Sequence, residues 1–67
     1  MNIVLETGSK VPIYKQLVEQ FEDAIRSGKL QPGEQIPSMN DFAVQLGISK
    51  ETVKKTYGIL REKGLLI

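Results

Sequence analysis

The sequence holds no cysteine and no histidine. The first absence excludes disulfides and thiolate metal sites, and the second removes the commonest metal ligand and the usual general base. No stretch approaches the roughly 18 apolar residues needed to span a bilayer, and the N-terminus lacks the basic and apolar regions of a secretion signal. A cytoplasmic protein without membrane contact is expected, with no catalytic residues, metal or cofactor of its own. Charge of one sign is scarce too: nine basic residues against eight acidic ones leave a formal net charge of +1. That is too little to attract nucleic acid unless the cations are clustered. Internal repeats, low-complexity tracts and interdomain linkers are also missing. The 67 residues read as a single domain over 1–67. A core of this size rarely supplies more than about 3–5 kcal/mol without disulfides, metal or a partner, which points to dimerisation or a further segment.

What is present is helical periodicity with clear punctuation. Residues 1–10 form a leader in which Ile3, Val4 and Leu5 suit a strand or arm, expected to be mobile or partner-dependent. Pro12 is preset for a first helical turn, and Ile13, Leu17, Phe21 and Ile25 follow at four-residue intervals with Tyr14, Val18 and Ala24 beside them, predicting an amphipathic helix over 12–27. Gly28 ends it, with Leu30 folding back on the last turn. Pro32-Gly33 favours a type II turn, and a short extended segment over 34–37 follows, because Ile36 precedes a proline; Ile36 is expected to anchor it in the core.

Ser38 then precedes a helical run and has Asp41 three positions on, the Ser-x-x-acid capping pattern. Phe42, Ala43 and Leu46 gather on one side of a helix over 38–46, and Gly47 supplies the left-handed residue that ends it. Ile48 plugs the corner, and Ser49 caps a third helix over 49–63. On that helix Val53, Tyr57 and Leu60 should face inward, leaving Lys50, Glu51, Lys54, Lys55 and Arg61 outside. Two short helices meeting at a glycine turn, with Ala43, Gly47, Ile48 and Val53 at these offsets, have the layout of a DNA-reading helix-turn-helix. Over 50–63 there are five basic residues (Lys50, Lys54, Lys55, Arg61, Lys63) and two acidic ones (Glu51, Glu62), a local balance of +3 against −2 for the rest. Glu51 with Lys55 alone would be an ordinary i, i+4 pair. Lys50, however, opposes the helix dipole from the first turn, at a typical cost of about 0.3–1 kcal/mol, which suggests a role. After Gly64 the apolar Leu65-Leu66-Ile67 suits a terminal strand over 65–67.

The order of elements, with Pro12-Ile13-Tyr14, Gln16-Leu17, Ile25, the run Gly28-Lys29-Leu30-Gln31-Pro32-Gly33, Ile36-Pro37-Ser38, Phe42-Ala43, Leu46-Gly47-Ile48-Ser49, Thr52-Val53, Tyr57, Leu60 and Gly64-Leu65-Leu66, resembles the N-terminal DNA-binding domain of the GntR family of bacterial transcriptional regulators. The match covers 12–67. The resemblance implies a mainly α, three-helix winged helix-turn-helix whose wing is truncated, since the family's β-hairpin wing should follow Ile67. The family's C-terminal region, which binds a small-molecule effector and mediates homodimerisation, is missing too, so the chain is expected to be a fragment. In the family's Ser-Arg-x-Thr-Val-Arg pattern two basic residues contact DNA, and here those places hold Lys50 and Lys54. Lysine keeps the charge but loses the fork that binds guanine bidentately, which shifts weight from base reading to phosphate contact. Asn40 stands where the family usually has an arginine.

The expected function is sequence-specific binding of a double-stranded operator, with the 50–61 helix in the major groove and dimer partners on two half-sites. Lys50, Glu51, Thr52 and Lys54 are assigned to base edges or adjoining phosphates, Lys55 to the backbone, and Asn40 to adenine or a phosphate. Ser38 and Ser49 cap helices and stand where a phosphate is favoured. Tyr14 and Tyr57 are assigned to packing before phosphate contact. The competing reading is a winged-helix protein-interaction module that does not bind DNA, docking a partner through the helix face or the apolar end.

Overall fold

The computed structural model describes residues 2–31 and 35–66 and forms three helices, α1 (Ile13–Arg26), α2 (Met39–Leu46) and α3 (Lys50–Glu62), with no strand among the described residues. The expected turn at Pro32-Gly33, the Glu34 end of the extended segment and the Ile67 end of the terminal strand lie outside the described residues. α3 is the central element, packed along both α1 and α2. Leu17, Phe21, Val53, Thr56 and Leu60 are fully enclosed, with Val18, Ala24, Leu30, Phe42, Ala43 and Tyr57 around them.

One aromatic ring from each helix meets at the centre. Phe21 stands edge-on to Phe42 and to Tyr57, at centroid distances of 5.8 and 6.1 Å, and Phe42 stacks on Tyr57 at 5.9 Å. Pairs of this geometry each contribute about 0.5–1.5 kcal/mol beyond area burial, so the trio fixes how the three helices cross. The Tyr57 hydroxyl donates to the Pro37 carbonyl at 2.9 Å, tying the 35–38 segment to α3. Ile36, in that segment, is half-buried against the core.

The inner face of α1 centres on Leu17, Phe21 and Ala24, while Ile13 and Ile25 are only half-buried. A four-residue step drifts by about 40° on a helix of 3.6 residues per turn, which carries the ends of that apolar series to the edges of the face. Pro12 is the residue before the helix, with ψ 148°, and its carbonyl accepts from the Lys15 and Gln16 amides.

One expectation is overturned, and the leader takes a placement that local spacing did not show. The leader is held against α1. The Gln20 side-chain amide exchanges two hydrogen bonds with the Val4 backbone, at 3.0 and 2.7 Å. Gln16 accepts from the Glu6 amide at 2.9 Å and donates to the Glu6 and Val11 carbonyls at 3.1 and 2.8 Å. Ile3 and Leu5 rest half-buried on the core. Residues 65–66 form no strand, because the Leu65 amide donates to the Leu60 carbonyl at 2.9 Å and folds back on α3.

Candidate nucleic-acid interface

The site is built by local bonds. The Ser38 hydroxyl accepts from the Asp41 amide at 3.1 Å and starts α2. Gly47 has φ 68° and ψ 35°, a left-handed conformation that costs glycine nothing and an L side chain a steric clash. With the chain so turned, the Ile48 amide donates to the Ala43 carbonyl at 3.1 Å, and Ile48 is half-buried in the corner. Ser49 is extended and accepts from the Thr52 amide at 3.2 Å, and the two hydroxyls lie 2.8 Å apart, so both side chains are engaged at the start of α3.

From that cap α3 divides into two faces. Val53, Thr56, Tyr57 and Leu60 are buried, while Lys50, Glu51, Lys54, Lys55 and Arg61 are exposed. Thr56 was not foreseen inside, because its hydroxyl reads as polar. It is satisfied within its own helix, donating to the Thr52 carbonyl at 2.9 Å. Of the residues singled out from sequence, Lys50, Glu51, Lys54 and Lys55 lie on the outer side of α3, Thr52 is half-buried at its edge, and Ser38, Asn40 and Ser49 are exposed at the two helix starts. Among the described residues Lys50, Lys54 and Arg61 form no ion pair, whereas Lys63 bonds Glu22 of α1 at 3.2 Å. Lys55 does not pair with Glu51; its Nζ sits 4.1 Å from the centre of the Tyr14 ring. Tyr57, bonded to Pro37, is not free to lay its hydroxyl on a ligand, and burial pushes that hydroxyl's pKa up to about 12.

A serine-capped helix, a left-handed glycine corner and a second serine-capped helix with a cationic outer side define a helix-turn-helix domain. The family model "Bacterial regulatory proteins, gntR family" matches residues 13–67, and the chain belongs to that family. It is 43% identical over 58 residues to the HTH-type transcriptional repressor NagR of Bacillus subtilis, spanning 87% of this chain and 24% of NagR. To the HTH-type transcriptional regulator SmoD of Agrobacterium fabrum it is 37% identical over 60 residues, 90% of this chain and 26% of that protein. Among solved structures it superposes with a TM-score of 0.87 on YtrA from Sulfolobus acidocaldarius, a GntR-family transcription factor, at 40% identity over 92% of this chain and 66% of that one. The fold is thus the DNA-binding helix-turn-helix of GntR-type transcriptional regulators. This chain spans about a quarter of the two curated relatives.

Proposed function

We propose that this domain binds double-stranded operator DNA by laying the outer side of α3 in the major groove. The observation that carries this is the division of α3: an apolar face locked by the aromatic trio, and an outer face on which Lys50 and Lys54, one turn apart, stand exposed and unpaired among the described residues. Lys50, Glu51, Thr52 and Lys54 address base edges or adjoining phosphates, Glu51 accepting from cytosine N4 and Thr52 touching a thymine methyl. Lys55 serves the backbone. Ser38, Asn40 and Ser49 stand where the free amides of two helix starts favour a phosphate. In the full-length protein two such domains act as a homodimer on two half-sites, with a small-molecule effector acting through a further region, in the cytoplasm on the nucleoid.

Mixed-sequence duplex added at low ionic strength is expected to shift the amide signals of Lys50, Glu51, Thr52, Lys54 and Lys55. Lys54→Ala should weaken binding at every salt concentration and flatten the log-log salt dependence by about 0.9 for the lost phosphate contact. An unchanged slope would remove Lys54 from the phosphate-contacting set, and unmoved amide signals would sink the DNA reading.

A further inference from the structure

We propose that Tyr14 is a positioning residue for DNA binding, its ring holding the Lys55 ammonium at the seam between α1 and α3 so that the cation meets a backbone phosphate beside the groove. This rests on the reading of α3 as the DNA-facing helix. The ammonium lies 4.1 Å from the ring centre, well inside the roughly 6 Å over which an aromatic face attracts a cation. Tyr14 is half-buried in the first turn of α1, whose backbone is set by the Pro12 carbonyl accepting from the next turn. Glu51, one turn before Lys55 on the same helix, is the partner that simple spacing offers. Lys55 instead crosses to α1, over a shallow depression lined by Pro12, Ile13, Tyr14, Glu51, Thr52 and Lys55 itself.

The ring covers one side of the ammonium, and the exposed remainder keeps hydrogens for an acceptor. A free lysine loses rotamer freedom when it meets a phosphate, whereas one already held over a ring has lost much of it beforehand. The same contact ties the DNA-facing helix to the N-terminal turn of α1, so the cation's place is set by two elements. Lys50 and Lys54 have no such holder among the described residues.

The ε-methylene protons of Lys55 should be shifted upfield by the ring in the unmodified chain and in Tyr14→Phe, and return to ordinary values in Tyr14→Leu. They should stay upfield when a mixed-sequence duplex of about 20 base pairs, roughly two helical turns, is bound. Tyr14→Leu is expected to weaken binding about twofold to fivefold, and Tyr14→Phe to preserve it. Lys55→Gln should lower the salt slope by about 0.9 and abolish the effect of Tyr14→Leu. A return of the Lys55 signals to ordinary values on binding would overturn the proposal, as would an equal loss from Tyr14→Leu with and without Lys55. Should Tyr14→Leu not fold, the signals of the unmodified chain and the slope of Lys55→Gln, a change at an exposed side chain, decide the matter. Failure of this inference leaves the shifts at Lys50 and Lys54 intact, whereas failure of the DNA reading removes them.

Discussion

Glycine to alanine is one chemical change with opposite expected consequences at two positions of the helix-turn-helix. At Gly47 the backbone is left-handed, with φ 68°, and a methyl group there carries strain of roughly 1–2 kcal/mol although the surrounding space is open. At Gly58, inside α3, φ is ordinary and, among the described residues beyond its own helix backbone, no atom lies within 4 Å of the place a methyl group would take, so Gly58→Ala should stabilise the fold by about 0.4–1 kcal/mol by restricting the unfolded chain. Urea midpoints of the two variants should therefore move in opposite directions at constant slope. A Gly47→Ala midpoint equal to that of the parent would mean that the corner is not held left-handed in solution. Tyr57 offers a residue-scale test of the core. Its pKa is pushed up to about 12 from an ordinary value near 10 by burial, so the native chain keeps this proton to higher pH than the unfolded chain does. The stability it contributes is whole below about pH 10 and is lost as pH rises toward 12. The sequence contains two tyrosines, so in Tyr14→Phe the phenolate absorbance reports Tyr57 alone, and its midpoint is expected at about 12. A midpoint near 10 would mean that the Tyr57 ring is solvated.

At the scale of elements, what sequence made legible follows from the range of the bonds involved. The helix starts at Ser38 and Ser49 and the corner at Gly47 depend on partners three to five residues away, so local spacing located them. The exposed side of α3 followed from periodicity alone. The leader did not, because Gln16 and Gln20 reach its backbone across 10 and 16 positions, and glutamines at i, i+4 on a helix read as ordinary surface. The terminal strand failed for the opposite reason: a local closure from Leu65 to Leu60 prevailed over an apolar run that suits pairing. The ring under Lys55 was hidden by a separation of 41 residues, though the candidate face containing Lys55 was not. The glutamine clasp has a direct test. Replacing Gln16 and Gln20 together by alanine removes the partners of the Val4 and Glu6 amides, and their hydrogen exchange should accelerate to that of an exposed loop while the amides of α3 keep their protection. Unchanged exchange at Val4 and Glu6 would mean that the apolar contacts of Ile3 and Leu5, and not the clasp, hold the leader.

At the scale of the molecule, a net charge of +1 sits beside a local balance of +3 over 50–63, so attraction to a duplex depends on how the domain is turned, and one domain alone has few phosphates to neutralise. Non-specific binding of such a module falls at about 10⁻⁴–10⁻⁶ M at physiological salt. Two modules side by side change the arithmetic. The Cα trace of the domain spans 30 × 22 × 21 Å, so with either shorter direction laid along the duplex two copies fit the roughly 34–36 Å that separates half-sites one helical turn apart. A flexible linker of about 40 residues has a root-mean-square span near 35 Å. At a millimolar effective concentration, two copies joined by such a linker should therefore bind a duplex of about three turns roughly 10–10³ times more tightly than one copy, through effective concentration alone. The gain should vanish on a duplex of about one turn, too short to seat both modules. Equal affinity of the single and joined forms on the long duplex would mean that each domain does not engage DNA as an independent unit, and the two-half-site arrangement would fall with it.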